Sequence, residues 1–272
     1  MSSDDDLVLY RVEEGVAVVT FNRPERLNAW TPAFGERYFG LLQRAANDPE
    51  VRAIVVTGAG RGFCAGADMD AIGENARSSQ DGGVPLEASP WRTIEVPKPV
   101  IAAINGACVG LGLAFALTCD IRFAAEGARL GASFSRLGFV AEDGLSWILP
   151  RVIGLAHSLD LLLSGRLVPA DEAKAMGLVN RVVPADGMLR EAIDYAVEIA
   201  HLCSPAALAQ IKGQVYAHAQ TNLITALSES RDLTRNALRT EDVREGMASF
   251  AERRRPRFAG LSAPIDILGR DG

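Results

Sequence analysis

The chain has 272 residues, 48% of them hydrophobic and 23% charged, enough apolar material for one sizeable domain or a domain with an appendage. Its formal charge of −6 gives no general attraction to nucleic acid or anionic lipid, so no nucleic-acid partner is expected and an anionic ligand needs a local basic site. No apolar run approaches the roughly 20 residues that cross a bilayer, and Met1–Asp6 is acidic where a signal peptide is basic and then apolar, so a cytoplasmic protein without a membrane partner is expected.

Leu7–Glu13 and Val16–Asn22, separated by Glu14-Gly15, read as a β-hairpin. Thr31-Pro32 offers an N-cap with proline at the first helical position, and Phe34, Tyr38, Leu41, Leu42 and Ala45 follow at helical spacing. Val51–Thr57 is a buried strand ended by the glycine-rich turn 58–62. Residues 72–92 are polar and glycine-rich, which predicts a mobile surface segment. Pro99–Ile104 is another buried strand, and Gly106–Thr118 reads as a buried helix. Strands alternating with helices indicate an α/β fold. Beyond Pro184 the pattern is helical throughout, over Met188–His201, Pro205–Ala219, Asn222–Leu238 and Glu241–Arg254.

Several familiar motifs fail. Gly58-Ala59-Gly60 follows a strand, but Phe63 stands where the third glycine of a dinucleotide fingerprint belongs. There is no G-x-S-x-G elbow, and His157, His201 and His218 have no H-x-x-x-H spacing. Cys64, Cys108, Cys119 and Cys203 lie far apart without a C-x-x-C pair, which predicts reduced thiols and neither a disulfide framework nor a zinc site. No metal is expected. Arg253, Arg254, Arg255 and Arg257 cluster after a helical stretch and suit either a solvated helix end or a phosphate contact.

Two segments are hard to explain as packing: Gly62–Met69 and Ile104–Leu113. Both read as strand-to-helix turns of tiny residues. Such residues let a ligand approach the backbone, and the start of a helix presents free N–H groups to negative charge. Side by side, two such turns form an oxyanion hole; singly, each is equally well explained as a tight turn.

These segments resemble the signatures of the crotonase superfamily, the enoyl-CoA hydratases and isomerases. Asn22-Arg23-Pro24-Glu25-Arg26-Leu27-Asn28-Ala29 resembles its N-R-P-x-x-x-N-A, Phe63–Asp68 its F-C-A-G-A-D, and Asn105–Asp120 its N-G-x-x-x-G-x-G…C-D helix. Gly165-Arg166 with Ala170–Val179, and Gly246–Pro256, resemble two later signatures, so the resemblance runs almost the whole chain. It implies a spiral of ββα units with a C-terminal helical trimerisation region, in a homotrimer or dimer of trimers. The implied division is a disordered N-terminus over 1–6, an acyl-CoA-binding core over 7–204 and a helical oligomerisation region over 205–272. Acyl-CoA is then the substrate, with no further cofactor.

Carried over by residue, the resemblance implies oxyanion donors at the N–H groups of Ala67 and Leu111. The substrate path would follow Arg26, Ala65, Gly66, Asp68, Met69, Gly110, Phe134 and Trp147, with Phe250 and Arg253 holding the coenzyme from this or a neighbouring subunit. Hydratases of the family use two glutamates, but those positions fall on Ala114 and Phe134 here, and neither transfers protons. Glu142 instead resembles the single catalytic glutamate of the 3-enoyl to 2-enoyl-CoA isomerases. One carboxylate can move a proton from the α to the γ carbon if the enolate oxygen is held. Phe134, Phe139, Val140 and Trp147 would raise the pKa of Glu142, while the helix N-terminus near Gly144 would lower it.

Asp143 is expected as that helix's N-cap. Two other readings follow from the residues. One is a hydratase that uses Glu142, with Asp143, to activate water; the other is a catalytically silent CoA- or RNA-binding relative supported by Arg253–Arg257.

Overall fold

The computed structural model describes residues 6–70, 89–261 and 267. The N-terminus expected to be disordered and most of the surface segment 72–92 therefore lie outside the described residues. The described end of that segment does not match the expectation. Ser89 and Pro90 are buried, and Pro90–Thr93 forms a 3-10 turn closed by proline at its start.

The hairpin is present: β1 (Val8–Glu13) pairs antiparallel with β2 (Val16–Phe21), Glu13 facing Val16, with Glu14 and Gly15 both at positive φ. Thr31 caps α1 (Pro32–Asn47), its hydroxyl accepting from the Phe34 N–H at 3.3 Å. Then come β3 (Ala53–Gly58), β4 (Gly62–Cys64), β5 (Val100–Ile104), β6 (Ala107–Val109), α2 (Leu111–Thr118), β7 (Ile121–Ala125) and β8 (Arg129–Gly131). After a 3-10 turn at Ser133–Leu137 follow α3 (Leu145–Ser164), β9 (Leu167–Pro169), α4 (Ala170–Ala175) and β10 (Arg181–Val183). The chain ends in α5 (Met188–Leu202), α6 (Pro205–His218), α7 (Leu223–Ala237) and α8 (Glu241–Glu252).

The strands form a six-stranded sheet in the order β1-β2-β3-β5-β7-β10, parallel except for the hairpin, and a four-stranded sheet in the order β4-β6-β8-β9. The path climbs as a spiral. Each of β3, β5 and β7 in the large sheet is followed within a few residues by β4, β6 and β8 in the small one, which repeats the ββα unit. The inner strands β2, β3, β5 and β7 of the large sheet are buried on both faces, hence their continuous apolar runs. Val16, Val18, Ala53, Val55, Ile101 and Ala103 face α5, while Ala17, Val19, Ile54, Val56, Val100, Ala102 and Ile104 face the space that holds α1 and α2. All eight residues of α2 are buried, which places its N-terminus deep between the sheets.

Two expectations are corrected. Gly106–Thr118 is not one helix: β6 occupies its start, and Gly110 at φ 57°, ψ −120° turns the chain into α2. The other concerns long apolar runs. The 20-residue α3 has a mean hydropathy of 1.2, sufficient by length and composition for a span, but it bends at Gly154 and packs Leu145, Ile148, Leu149, Ile153 and Leu161 into the core.

Beyond Val183 all regular structure among the described residues is helical, as its periodicity predicts, with residues 255–261 outside any helix. Helix α6 is tied to the core by Lys212, whose ammonium meets Asp120 at 3.0 Å with little exposure of either side chain. By contrast α7 buries no residue, and Leu223 and Ile224 on it are 71% and 74% exposed.

Candidate active site

The two small-residue turns are neighbours because β4 and β6 are paired parallel strands. Trp30 fixes the first turn: its N–H donates to Gly66 O at 2.8 Å and its carbonyl accepts from Asp68 N at 2.9 Å. That parallel bridge leaves the intervening Ala67 N–H facing the other way, without an acceptor among the described residues. The second donor is Leu111 N, at the first position of α2, where an amide has no partner within its own helix.

Their closeness depends on glycine. Gly66 has φ 108°, and a Cβ on it would stand 3.2 Å from Val109 O and 4.0 Å from Leu111 N. Both turns open on a cavity of about 180 Å³ walled by Ala65, Gly66, Ala67 and Met69 from one side and Val109, Gly110 and Leu111 from the other. The 3-10 turn after β8 and the loop beyond it close the cavity with Ser133, Phe134, Leu137, Phe139 and Glu142. Glu142 is the one titratable group on its wall among the described residues. The rest of the described wall is apolar or tiny apart from Ser133, whose hydroxyl donates to Gly165 O at 3.4 Å, so two backbone amides and one carboxylate are its main polar groups among the described residues.

Partial burial, and then the negative charge of Asp143, raise the Glu142 carboxyl above its ordinary value. Of the expected apolar neighbours, Phe134 and Phe139 share the cavity, whereas Val140 points to solvent at 78% exposure. Asp143 is not the N-cap of α3. Gly144 occupies that place, and no side chain bonds the helix's first amides there. The Asp143 carboxylate instead accepts from the Ser89 hydroxyl at 3.3 Å, and its main-chain oxygen accepts from the Trp91 indole N–H at 2.7 Å. Burial raises the Asp143 carboxyl, and the Ser89 bond opposes it.

The structure brings together Glu142, Ala67, Leu111, Ala65, Gly66, Met69, Gly110 and Phe134. It sets five expected residues apart. Asp68 turns to Arg23, whose guanidinium donates to it at 2.9 Å, so its carboxylate is committed beneath the first turn. Arg26 pairs with Asp70 at 3.0 Å on the surface. Trp147 lines a second cavity of about 200 Å³ with Trp91, Ile94, Tyr216 and Gln220. Phe250, 87% exposed on α8, and Arg253, the left-handed residue ending α8, do not line the first cavity. In the arginine cluster, Arg254 is held by Glu245 and Glu252, which favours a solvated helix end for that residue.

Ala114 is buried within α2 and Phe134 faces the cavity, so no carboxylate stands at either expected glutamate position. The residues that sequence reasoning missed are Ser89 and Trp91. Their only sequence signal is the apolar Pro90-Trp91 pair at the end of a polar stretch.

The sequence model of the enoyl-CoA hydratase/isomerase family matches residues 11–261. A 1,2-epoxyphenylacetyl-CoA isomerase of Escherichia coli K12 is 36% identical over 263 residues, covering 94% of this chain and 99% of that protein. A solved enoyl-CoA hydratase from Mycobacterium marinum is 48% identical, with a TM-score of 0.68, over 79% of this chain and 100% of that one. Subunit I of an enoyl-CoA hydratase from Geobacillus kaustophilus HTA426 superposes with a TM-score of 0.87 at 33% identity, over 95% of this chain and 100% of that one.

Proposed function

The chain belongs to the enoyl-CoA hydratase/isomerase family and is an enzyme of it, and we propose that its reaction is the shift of a 3-enoyl-CoA double bond to the 2 position with Glu142 as the single acid and base. The observation that supports this reading is the cavity wall: among the described residues, two backbone N–H groups without acceptors belong to turns that line a pocket with one carboxylate on its wall, while the places expected for the two hydratase glutamates hold Ala114 and Phe134.

The steps balance with one carboxylate. Ionised Glu142 takes a proton from C2, the C2–H bonding pair delocalises into the thioester and the adjoining double bond, and charge builds on the thioester oxygen. The N–H groups of Ala67 and Leu111 stabilise that oxygen, without which an α proton is too weakly acidic for a carboxylate. Protonated Glu142 then returns the proton at C4, leaving the double bond between C2 and C3. The raised Glu142 pKa makes it a stronger base than an ordinary glutamate.

Helices α6 to α8 are read as the subunit-packing layer of a homotrimer or a pair of trimers, because α7 has no buried residue of its own. Phe250 and Arg253, which stand away from the cavity of their own chain, are assigned to coenzyme contacts across that interface. The solution mass from light scattering tests the assembly. Assay with a 3-enoyl-CoA and a 2-enoyl-CoA tests the reaction: isomerisation of the first with little hydration of the second is expected, and hydration without isomerisation contradicts the reading.

A further inference from the structure

Glu142 lies in a loop, between the 3-10 turn at Ser133–Leu137 and the start of α3, so regular structure does not aim its carboxylate. Its main-chain oxygen accepts from Leu145 N at 3.0 Å, and the next two residues, Asp143 and Gly144, both have positive φ, 49° and 69°. Two consecutive left-handed residues, one of them an aspartate, form a conformation that the chain does not favour unaided. Something outside the loop must hold it.

That hold comes from Trp91. Its indole N–H donates to Asp143 O at 2.7 Å. Its ring covers Gly144 so closely that a Cβ there would overlap the indole. Trp91 is itself held from two sides. The 3-10 turn that carries it is pinned to α1 by a buried 3.2 Å bond between the Thr93 and Tyr38 hydroxyls. Its ring meets Trp147 edge-on, centroids 5.5 Å apart at 72°. The Arg151 guanidinium lies 3.9 Å from the centroid of Trp147 and backs that ring in turn.

We propose that Trp91 is the positioning residue of Glu142: by clamping the 143–144 turn it sets where the carboxylate stands relative to the carbons between which it moves a proton. This rests on the reading of Glu142 as the acid and base. The clamp acts through a main-chain carbonyl, so it governs position and not charge, and it leaves the oxyanion donors untouched.

Trp91→Phe in the full chain tests it, since phenylalanine keeps an aromatic ring on the 3-10 turn and loses both the N–H and the indole atoms that lie against Gly144. With a 3-enoyl-CoA, and with rates expressed per folded molecule, kcat is expected to fall between about tenfold and 10²-fold. KM and the acid limb of the pH profile should stay near those of the parent. Gly144→Ala attacks the same clamp from the other side, and the double variant should lose little more than the worse single one. A parent-like kcat for Trp91→Phe, or multiplying losses in the double variant, overturns the proposal. Glu142→Gln assayed in parallel separates the two readings: parent-like activity there rejects Glu142 as the base, whereas an inactive Glu142→Gln beside a fully active Trp91→Phe rejects only the clamp.

Discussion

The backbone of Gly66 lies against the amide of Leu111, close enough that a Cβ on Gly66 would stand 4.0 Å from that nitrogen and 3.2 Å from Val109 O. The separation of the Ala67 and Leu111 amides, the proposed oxyanion donors, therefore depends on the absence of a side chain at residue 66. Gly66→Ala should force the φ 108° turn to relax and carry the Ala67 N–H out of line. The expected loss is about 10²-fold in kcat, as for removal of one oxyanion donor. Steady-state kinetics on folded protein, with unfolding followed by circular dichroism, check it.

Gly112 holds the two turns together from beneath, since a Cβ there would overlap the carbonyl of Cys64 on β4. Helix α2 is wholly buried and has no free direction in which to move. Gly112→Ala should cost about 3 kcal/mol by overpacking, visible in urea unfolding, whereas alanine at exposed Gly40 on α1, where a Cβ meets nothing within 4 Å and φ is not positive, should have no such cost.

The pH dependence follows from Glu142 and its neighbour. Burial and the Asp143 charge disfavour the ionised form of Glu142, and the base must be ionised to act. As pH falls through the raised Glu142 value, kcat/KM should drop, and the acid limb should lie above that of an unperturbed glutamate. Asp143→Asn removes the repulsion and makes ionisation easier, so the limb should move to lower pH.

Asp68 gives a stability prediction of opposite sense. Burial alone would raise its carboxyl, but hydrogen bonds from Arg23 and the Asp70 amide, with the charges of Arg23 and Arg26, hold it below the ordinary value. A depressed folded pKa contributes stability that is complete above the unfolded value of about 4 and is lost as pH falls through the folded one. Asp68→Asn should flatten that acid limb and lower stability at neutral pH by up to about 3 kcal/mol, because Arg23, mostly buried, loses its countercharge and keeps only neutral acceptors such as Ala29 O.

Much of this fold is written locally. The Glu14-Gly15 hairpin, the Thr31-Pro32 helix start and the C-terminal helices are legible because each signal lies within a few residues of what it specifies. The three-residue strands β4, β6, β8, β9 and β10 are not, since a period of two cannot show in so short a run. Ala107–Val109 is additionally hidden at the head of the apolar stretch that becomes α2. The oxyanion turns are legible from their tiny residues, but Glu142 stands out only through family resemblance, because nothing near it in sequence distinguishes it from a loop carboxylate. The apolar Pro90-Trp91 pair marks the position of Trp91 but not its contact: the indole reaches a main-chain oxygen 52 residues away, and a backbone acceptor leaves no mark in the sequence.

Replacement of one carboxylate tests the assignment most directly. Glu142→Gln keeps the shape and the hydrogen-bonding reach of the side chain and removes its ability to take a proton. With a 3-enoyl-CoA, and with exchange of the C2 proton followed in deuterated water, both isomerisation and exchange are expected to fall about 10²- to 10⁴-fold, with binding of the thioester retained. Isomerisation and exchange at the parent rate in Glu142→Gln would contradict the account and place the base elsewhere.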